Sequence, residues 1–178
     1  MKFNFRKMDI RKTLLEEKVQ SKELALSIAD YAVKSKKNFY ELMQCFVGSE
    51  YRLAQRAAWC VSWAARMKPS MILPYIKLLV DQLERKDVHD AVIRNSVRVL
   101  EDIEIPEELH GVVMNACFNL IEKASTPVAI KAFSLTTLYK LSKKYPEIRP
   151  ELKLLIEEKK EHETIAFCAR ANKILPFL

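Results

Sequence analysis

Five residues between positions 52 and 66 have the types and spacing to bind a polyanion. Arg52, Arg56, Trp59, Trp63 and Arg66 recur at i, i+4, i+7, i+11 and i+14, which gathers them within about 40° of one line on a helix turning 100° per residue. Guanidinium groups neutralise phosphates and indoles stack on bases, so the pattern fits a nucleic-acid face. The competing reading packs Trp63 between helices, with the arginines covering the indoles through cation–π contact. The opposite face of the segment (Leu53, Ala54, Ala57, Ala58, Val61, Ala64 and Ala65) is small and apolar, and lets a neighbouring helix approach closely.

Other chemistry is harder to assemble. His89, His110 and His162 fall in different expected helices without a metal-ligand spacing. Cys45, Cys60, Cys117 and Cys168 are far apart, form no C-x-x-C pair and have apolar or small neighbours, which reads as reduced, buried thiols. The chain has only two glycines, Gly48 and Gly111, in 178 residues. Neither phosphate-binding fingerprint can be written from them, and barrels, sandwiches and doubly wound sheets all use glycine at tight turns. No catalytic residue, metal site or cofactor is implied. The longest uncharged apolar runs, such as Met71 to Ile76, are far short of the roughly 20 residues of a membrane span. Charges also interrupt the amino terminus before a signal-peptide core can develop. Both features predict a cytoplasmic protein.

The elements that must position these residues are helices. Apolar residues keep a helical period between cuts made by prolines and cap-type residues, which predicts helices over 9–19, 21–35, 38–47, 50–67, 69–84, 87–103, 106–123, 126–144, 146–159 and 161–175. Pro69, Pro106, Pro127 and Pro146 fall near helix starts, where a missing N–H costs nothing. Ser21, Asn38 and Ser125 are the expected N-caps. Gly48 can end the helix before Glu50. Gly111 lies beside Val112, the repeat position of Pro74 and Pro150, and a kink shared by three repeats is expected there. Gln55-Arg56-Ala57, Ile93-Arg94-Asn95 and Ile130-Lys131-Ala132 recur at spacings of 38 and 37 residues, a period that signals stacked helix pairs. In the same register Lys77, Asn115 and Lys153 are equivalent, and so, one turn later, are Asp81, Asn119 and Glu157. Equivalent positions stack into ladders, so these six predict a polar row whose amides offer donors and acceptors to an extended peptide. Alternatively they are simply the solvated face, with Lys77 and Asp81 an ordinary i,i+4 pair.

The stretch from Pro69 to Leu79 resembles a second helix of the HEAT and armadillo-like repeat families, and the resemblance covers about residues 21 to 175. With Gln55-Arg56-Ala57-Ala58-Trp59, Ile103 to Glu108 and Ala129 to Ser134, the chain is similar to small, functionally uncharacterised bacterial HEAT-like proteins. The resemblance implies a curved stack whose second helices line a concave face, which would put the polar ladder in the groove. It also implies a rival reading, because one group of alkylpurine DNA glycosylases is built from HEAT-like repeats. That group's catalytic pattern has no counterpart here, and Asp81 and Glu157 would place carboxylates where a phosphate backbone runs.

The charge distribution bears on the same choice. The net charge is +7, of which residues 1–49 carry +4 (10 basic, 6 acidic), 50–104 +1 (9 and 8) and 105–178 +2 (11 and 9). A DNA binder would carry a basic stripe along its repeats, and these charges are mixed. The amino-terminal excess (Lys2, Arg6, Lys7, Arg11, Lys12) reads as a solvated capping helix or a basic arm for an acidic partner or a membrane surface. The expectation is therefore all-α: one domain over 1–178, a right-handed α-α superhelix of about four HEAT-like helix pairs. It has an amino-terminal capping helix in 1–20, repeats in 21–159 and a carboxy-terminal cap in 160–178. It acts as a non-enzymatic protein- or peptide-binding scaffold, with a DNA-binding or DNA-repair module as the alternative.

Overall fold

The computed structural model describes residues 8–16 and 18–178; Lys2, Arg6 and Lys7 of the expected basic arm lie outside them. Among the described residues there are ten α-helices and no strand: α1 (Ile10–Glu16), α2 (Lys22–Ala32), α3 (Lys36–Val47), α4 (Tyr51–Met67), α5 (Ile76–Asp81), α6 (Asp90–Leu100), α7 (His110–Glu122), α8 (Val128–Leu141), α9 (Arg149–Lys160) and α10 (Ile165–Ile174).

The expected elements all exist, and local chemistry corrects their starts. Ser21 caps α2 as expected, accepting from Leu24 N at 3.1 Å. The cap of α3 is Ser35, not Asn38: the Ser35 hydroxyl accepts from Asn38 N at 3.1 Å, and the Asn38 amide donates back to Tyr31 O. Ser125 is likewise displaced, because α8 begins after Pro127. The helix expected over 69–84 is shortened to α5, preceded by 3₁₀ turns at Pro69–Met71 and Leu73–Tyr75. Pro74 has no N–H to donate, which disfavours a continuous α ladder there. Similar single turns, Glu107–Leu109 and Pro146–Ile148, precede α7 and α9. The irregularity expected at Gly111 is thus shared by three repeats, but it sits just before the helix and takes the form of a 3₁₀-to-α change. Gly48 ends α3 with φ −65°, so it needs no left-handed conformation.

The helices form two rows. In one, α2 packs on α4, α4 on α6, α6 on α8 and α8 on α10; in the other, α3, α5, α7 and α9 touch one another sparsely. Close packing in the first row follows from small residues. Ala54, Ala57, Ala58, Ala64 and Ala65 of α4 are all buried, and so are Ala91 and Ser96 of α6. Large apolar side chains fill the space between the rows, with Phe39, Phe46 and Phe167 fully buried. Each contributes roughly 1.5–3 kcal/mol relative to exposure.

Three cysteines belong to this core. Burial pushes the Cys60 and Cys117 thiols up to about 12 and that of Cys45 to about 11. Cys168 is half-exposed and so departs from the expected burial. Thiolate is the reactive species, so native protein at pH 8 is expected to react rapidly with an aromatic disulfide reagent only at Cys168. The other three thiols should titrate only after denaturant is added. A rapid phase of more than one thiol per chain in native protein would contradict this assignment.

Candidate interaction surface

The five residues of the Arg/Trp line divide between two neighbours. Arg56 is buried, at 6% exposure. Its guanidinium donates to Leu14 O at 2.5 Å and to Lys18 O at 2.9 Å, and Arg52 reaches the same Lys18 carbonyl at 3.2 Å. Carbonyls at a helix end have no intrahelical partner, so these arginines fasten the end of α1 to α4. Gln20 completes the junction by donating to Arg56 O at 2.9 Å. At the other end of α4, Arg66 is exposed and pairs with Asp102 at 3.0 Å. Trp59 and Trp63 are half-buried.

Trp63 belongs to a larger array that spans the first row. Lys22 Nζ on α2 stands 5.5 Å from the Trp63 ring centroid, and the Arg98 guanidinium on α6 stands 5.7 Å from the same ring. Arg98 is also 6.0 Å from the Phe133 ring on α8, and Arg170 on α10 is 5.2 Å from Phe133. Cation and ring therefore alternate across the five helices of this row, Lys22–Trp63–Arg98–Phe133–Arg170. Each such contact contributes about 0.5–1 kcal/mol at an exposed site and more where desolvated.

Two carboxylates lie beside this array, and each is taken by an arginine. Asp102 holds Arg66. Glu101, 7% exposed, accepts from Arg170 at 2.5 Å, and Arg170 also donates to Thr136 Oγ1 at 2.6 Å. Burial pushes the Glu101 carboxyl above its usual range, and the Arg170 guanidinium opposes that shift. Lys140 donates to the backbone carbonyl of Glu101.

The polar ladder occupies the other row. Lys77, Asp81, Asn115, Asn119, Lys153 and Glu157 are all exposed, on α5, α7 and α9, and none points into a neighbouring repeat. Lys77 and Asp81 bond each other at 2.8 and 3.1 Å. A hollow of about 670 Å³ lies against Leu73, Ile76, Leu100, Ile105, His110 and Lys140. Its histidine is fully engaged: Nε2 donates to Ile105 O at 2.7 Å, because a carbonyl can only accept, and Nδ1 meets the Tyr145 hydroxyl at 3.0 Å. His89 caps α6, its Nδ1 accepting from Ala91 N at 2.9 Å, and His162 is exposed. Among the described residues no three His, Cys, Asp or Glu side chains are grouped to hold a metal ion, and no helix is long and apolar enough to cross a membrane.

Two rows of stacked helix pairs, punctuated by prolines and repeating every 37 to 38 residues, define an α-solenoid. The chain belongs to the HEAT repeat domain family, whose model matches residues 10–175. Comparison with curated proteins and with solved structures gives no match.

Proposed function

We propose that this protein is a non-enzymatic scaffold that holds a segment of another protein along the face formed by α2, α4, α6, α8 and α10. HEAT repeats are scaffolds that often mediate protein interaction, and the alternating cation–aromatic array carries the choice of face. The array lies on the row whose helices pack closely on one another, α2 on α4, α4 on α6, α6 on α8 and α8 on α10. Apart from exposed Lys22, the array runs along that row as half-buried arginines and aromatic rings, side chains of the kinds enriched in protein interfaces. The exposed ladder of Lys77, Asn115 and Lys153 and its partners is the rival docking surface, on the more loosely packed row.

Nucleic acid is the less favoured partner on this face. Arg56 is occupied by backbone carbonyls and Arg66 by Asp102. The Trp63 and Phe133 rings already have cations against them, which leaves little ring face for base stacking.

Photo-crosslinking in the native cell tests the proposal. A photoreactive residue at Arg94, which is exposed and one helical turn from Arg98, is expected to give protein adducts, and one at Asn115 or Lys153 is expected to give none. Adducts confined to Asn115 and Lys153 would transfer the function to the polar ladder. Adducts at Arg94 that disappear on nuclease treatment would replace the scaffold with a nucleic-acid binder.

A further inference from the structure

Among the described residues Arg98 is left without a bonded counter-ion by the arrangement of its neighbours. Its ordinary partners on α6 would be Glu101 and Asp102, at i+3 and i+4. Arg170 draws off the first and Arg66 the second. Arg98 makes no ion pair and no hydrogen bond with any described residue, and its Nε is buried without an acceptor. Trp63 Nε1, in the ring beside it, is also buried without one. The Asp102 and Glu101 carboxylates still attract the Arg98 guanidinium from nearby without bonding it, and the Arg66 and Arg94 guanidiniums oppose them.

The geometry is that of a receptor. Rings on α4 and α8 stand on either side of the guanidinium and restrict it, so less side-chain freedom is lost when its edge is engaged. With Nε buried, the terminal edge of the two Nη groups is the one left to present paired N–H groups to the two oxygens of a carboxylate. Lys22, at the α2 end of the array, likewise has no ion pair among the described residues. Lys22 and Arg98 are thus two cations against the Trp63 ring with no ion pair among the described residues, and the three guanidiniums of Arg66, Arg98 and Arg170 outnumber the two carboxylates of Glu101 and Asp102 by one charge. A phosphate backbone needs a continuous run of cations and would pass directly over Glu101 and Asp102. A short acidic peptide needs only two receptors, and its apolar side chains can lie on the ring edges.

We propose that Arg98 receives a carboxylate from an acidic segment of the partner, which lies across α4, α6 and α8 with a second carboxylate near Lys22. This deepens the scaffold reading and rests on it.

The test uses the full chain and a fluorescein-labelled, unstructured peptide in which glutamates alternate with leucine and phenylalanine. Its counterpart carries glutamine in place of every glutamate. Anisotropy at low salt is expected to give about tenfold or greater preference for the glutamate peptide, in keeping with the strength of bidentate charge-assisted bonds. Arg98→Gln is expected to abolish the preference and Arg98→Lys to keep part of it, because a lysine retains the charge and loses the fork. Circular dichroism and thermal melts establish that both variants fold. Should Arg98→Gln fail to fold, the Arg98 Nε–H resonance of the wild-type protein decides: it is expected to shift with the glutamate peptide and not with its counterpart. Equal affinity for the two peptides, a preference unchanged by Arg98→Gln, or displacement by an oligonucleotide acting through Arg98 would each overturn the proposal. Crosslinked protein partners that survive Arg98→Gln would leave the scaffold standing and remove only the acidic segment. Absence of any protein adduct would remove the scaffold itself.

Discussion

Lys131→Met is expected to destabilise the protein by about 3–5 kcal/mol, the cost of leaving a buried charge unpaired. Lys131 lies in the first turn of α8 with its side chain 4% exposed. It pairs with Glu163, 12% exposed, in the turn between α9 and α10. The ammonium also lies 3.5 Å from Ala124 O, before α8. One side chain thus ties the α7–α8 turn to the α9–α10 turn. Methionine keeps most of the stem's volume, so the expected loss arises from Glu163, not from a cavity. Removing both charges with Lys131→Met and Glu163→Leu is expected to restore most of the stability, since apolar replacement of a buried pair is often neutral or better. Arg94 occupies the same repeat position as Lys131 but is exposed. Arg94→Met therefore serves as the control and is expected to stay within about 0.5 kcal/mol. Urea denaturation measures all four proteins, with midpoints compared at unchanged slope. If Lys131→Met cost under about 1 kcal/mol, the range of surface pairs, the ion pair would not be what joins these two turns.

Helix order and repeat register were legible because they depend on residue type at short range. Prolines and capping hydroxyls mark starts, and the 37-to-38-residue period places Arg56, Arg94 and Lys131 at one position. What that period does not encode is which of the three is buried. Arg56 meets carbonyls of the chain before it and Lys131 meets a glutamate after it, whereas Arg94 meets neither, and these partners, at the end of α1 and in the α9–α10 turn, do not repeat. Helix starts failed where two signals competed. Ser35 and Asn38 are both cap-type residues three apart, and only the backbone decides that the serine hydroxyl takes the asparagine N–H. The spacing of Arg52 through Arg66 put five side chains on one line of α4, as the helix requires. It could not show that one end of the line faces α1 and the other α6.

The cation–aromatic array escaped the sequence reading for a related reason. Trp63 and Phe133 are 70 residues apart, and Arg98 and Arg170 are 72, neither a multiple of the repeat. The drift of a few residues reflects how each first-row helix is rotated and shifted against the last. Arg98 with Glu101 and Asp102 also reads as an ordinary intrahelical set. Only the positions of Arg66 and Arg170, on other helices, show that both carboxylates are taken. A usable signal was present all the same: Arg98 and Arg170 are charged residues on helices whose buried faces are mostly apolar.

Arg56→Ala separates the structural and ligand-binding roles of the same face, and the expected result is a loss of about 3 kcal/mol, from two charge-assisted hydrogen bonds to carbonyls at about 1.5–3 kcal/mol each. The carbonyls of Leu14 and Lys18 lie at and beyond the end of α1, where a cation also meets the helix dipole favourably. With seven residues α1 is too short to persist alone. Its attachment rests on buried Ile10 and Leu14 and on this arginine. The damage is therefore expected first at the amino end: proteolysis between Lys18 and Ser21 should accelerate while the stack from α6 to α10 stays protected from hydrogen exchange. Arg56→Lys should recover little, because one ammonium cannot span both carbonyls as the fork does. A nucleic-acid contact at Arg56 predicts the reverse, unchanged stability with weakened binding and a shallower salt dependence. If Arg56→Ala melted like the wild type and lost affinity for DNA, the arginine would be a ligand residue, and the face it lies on would have to be reassigned.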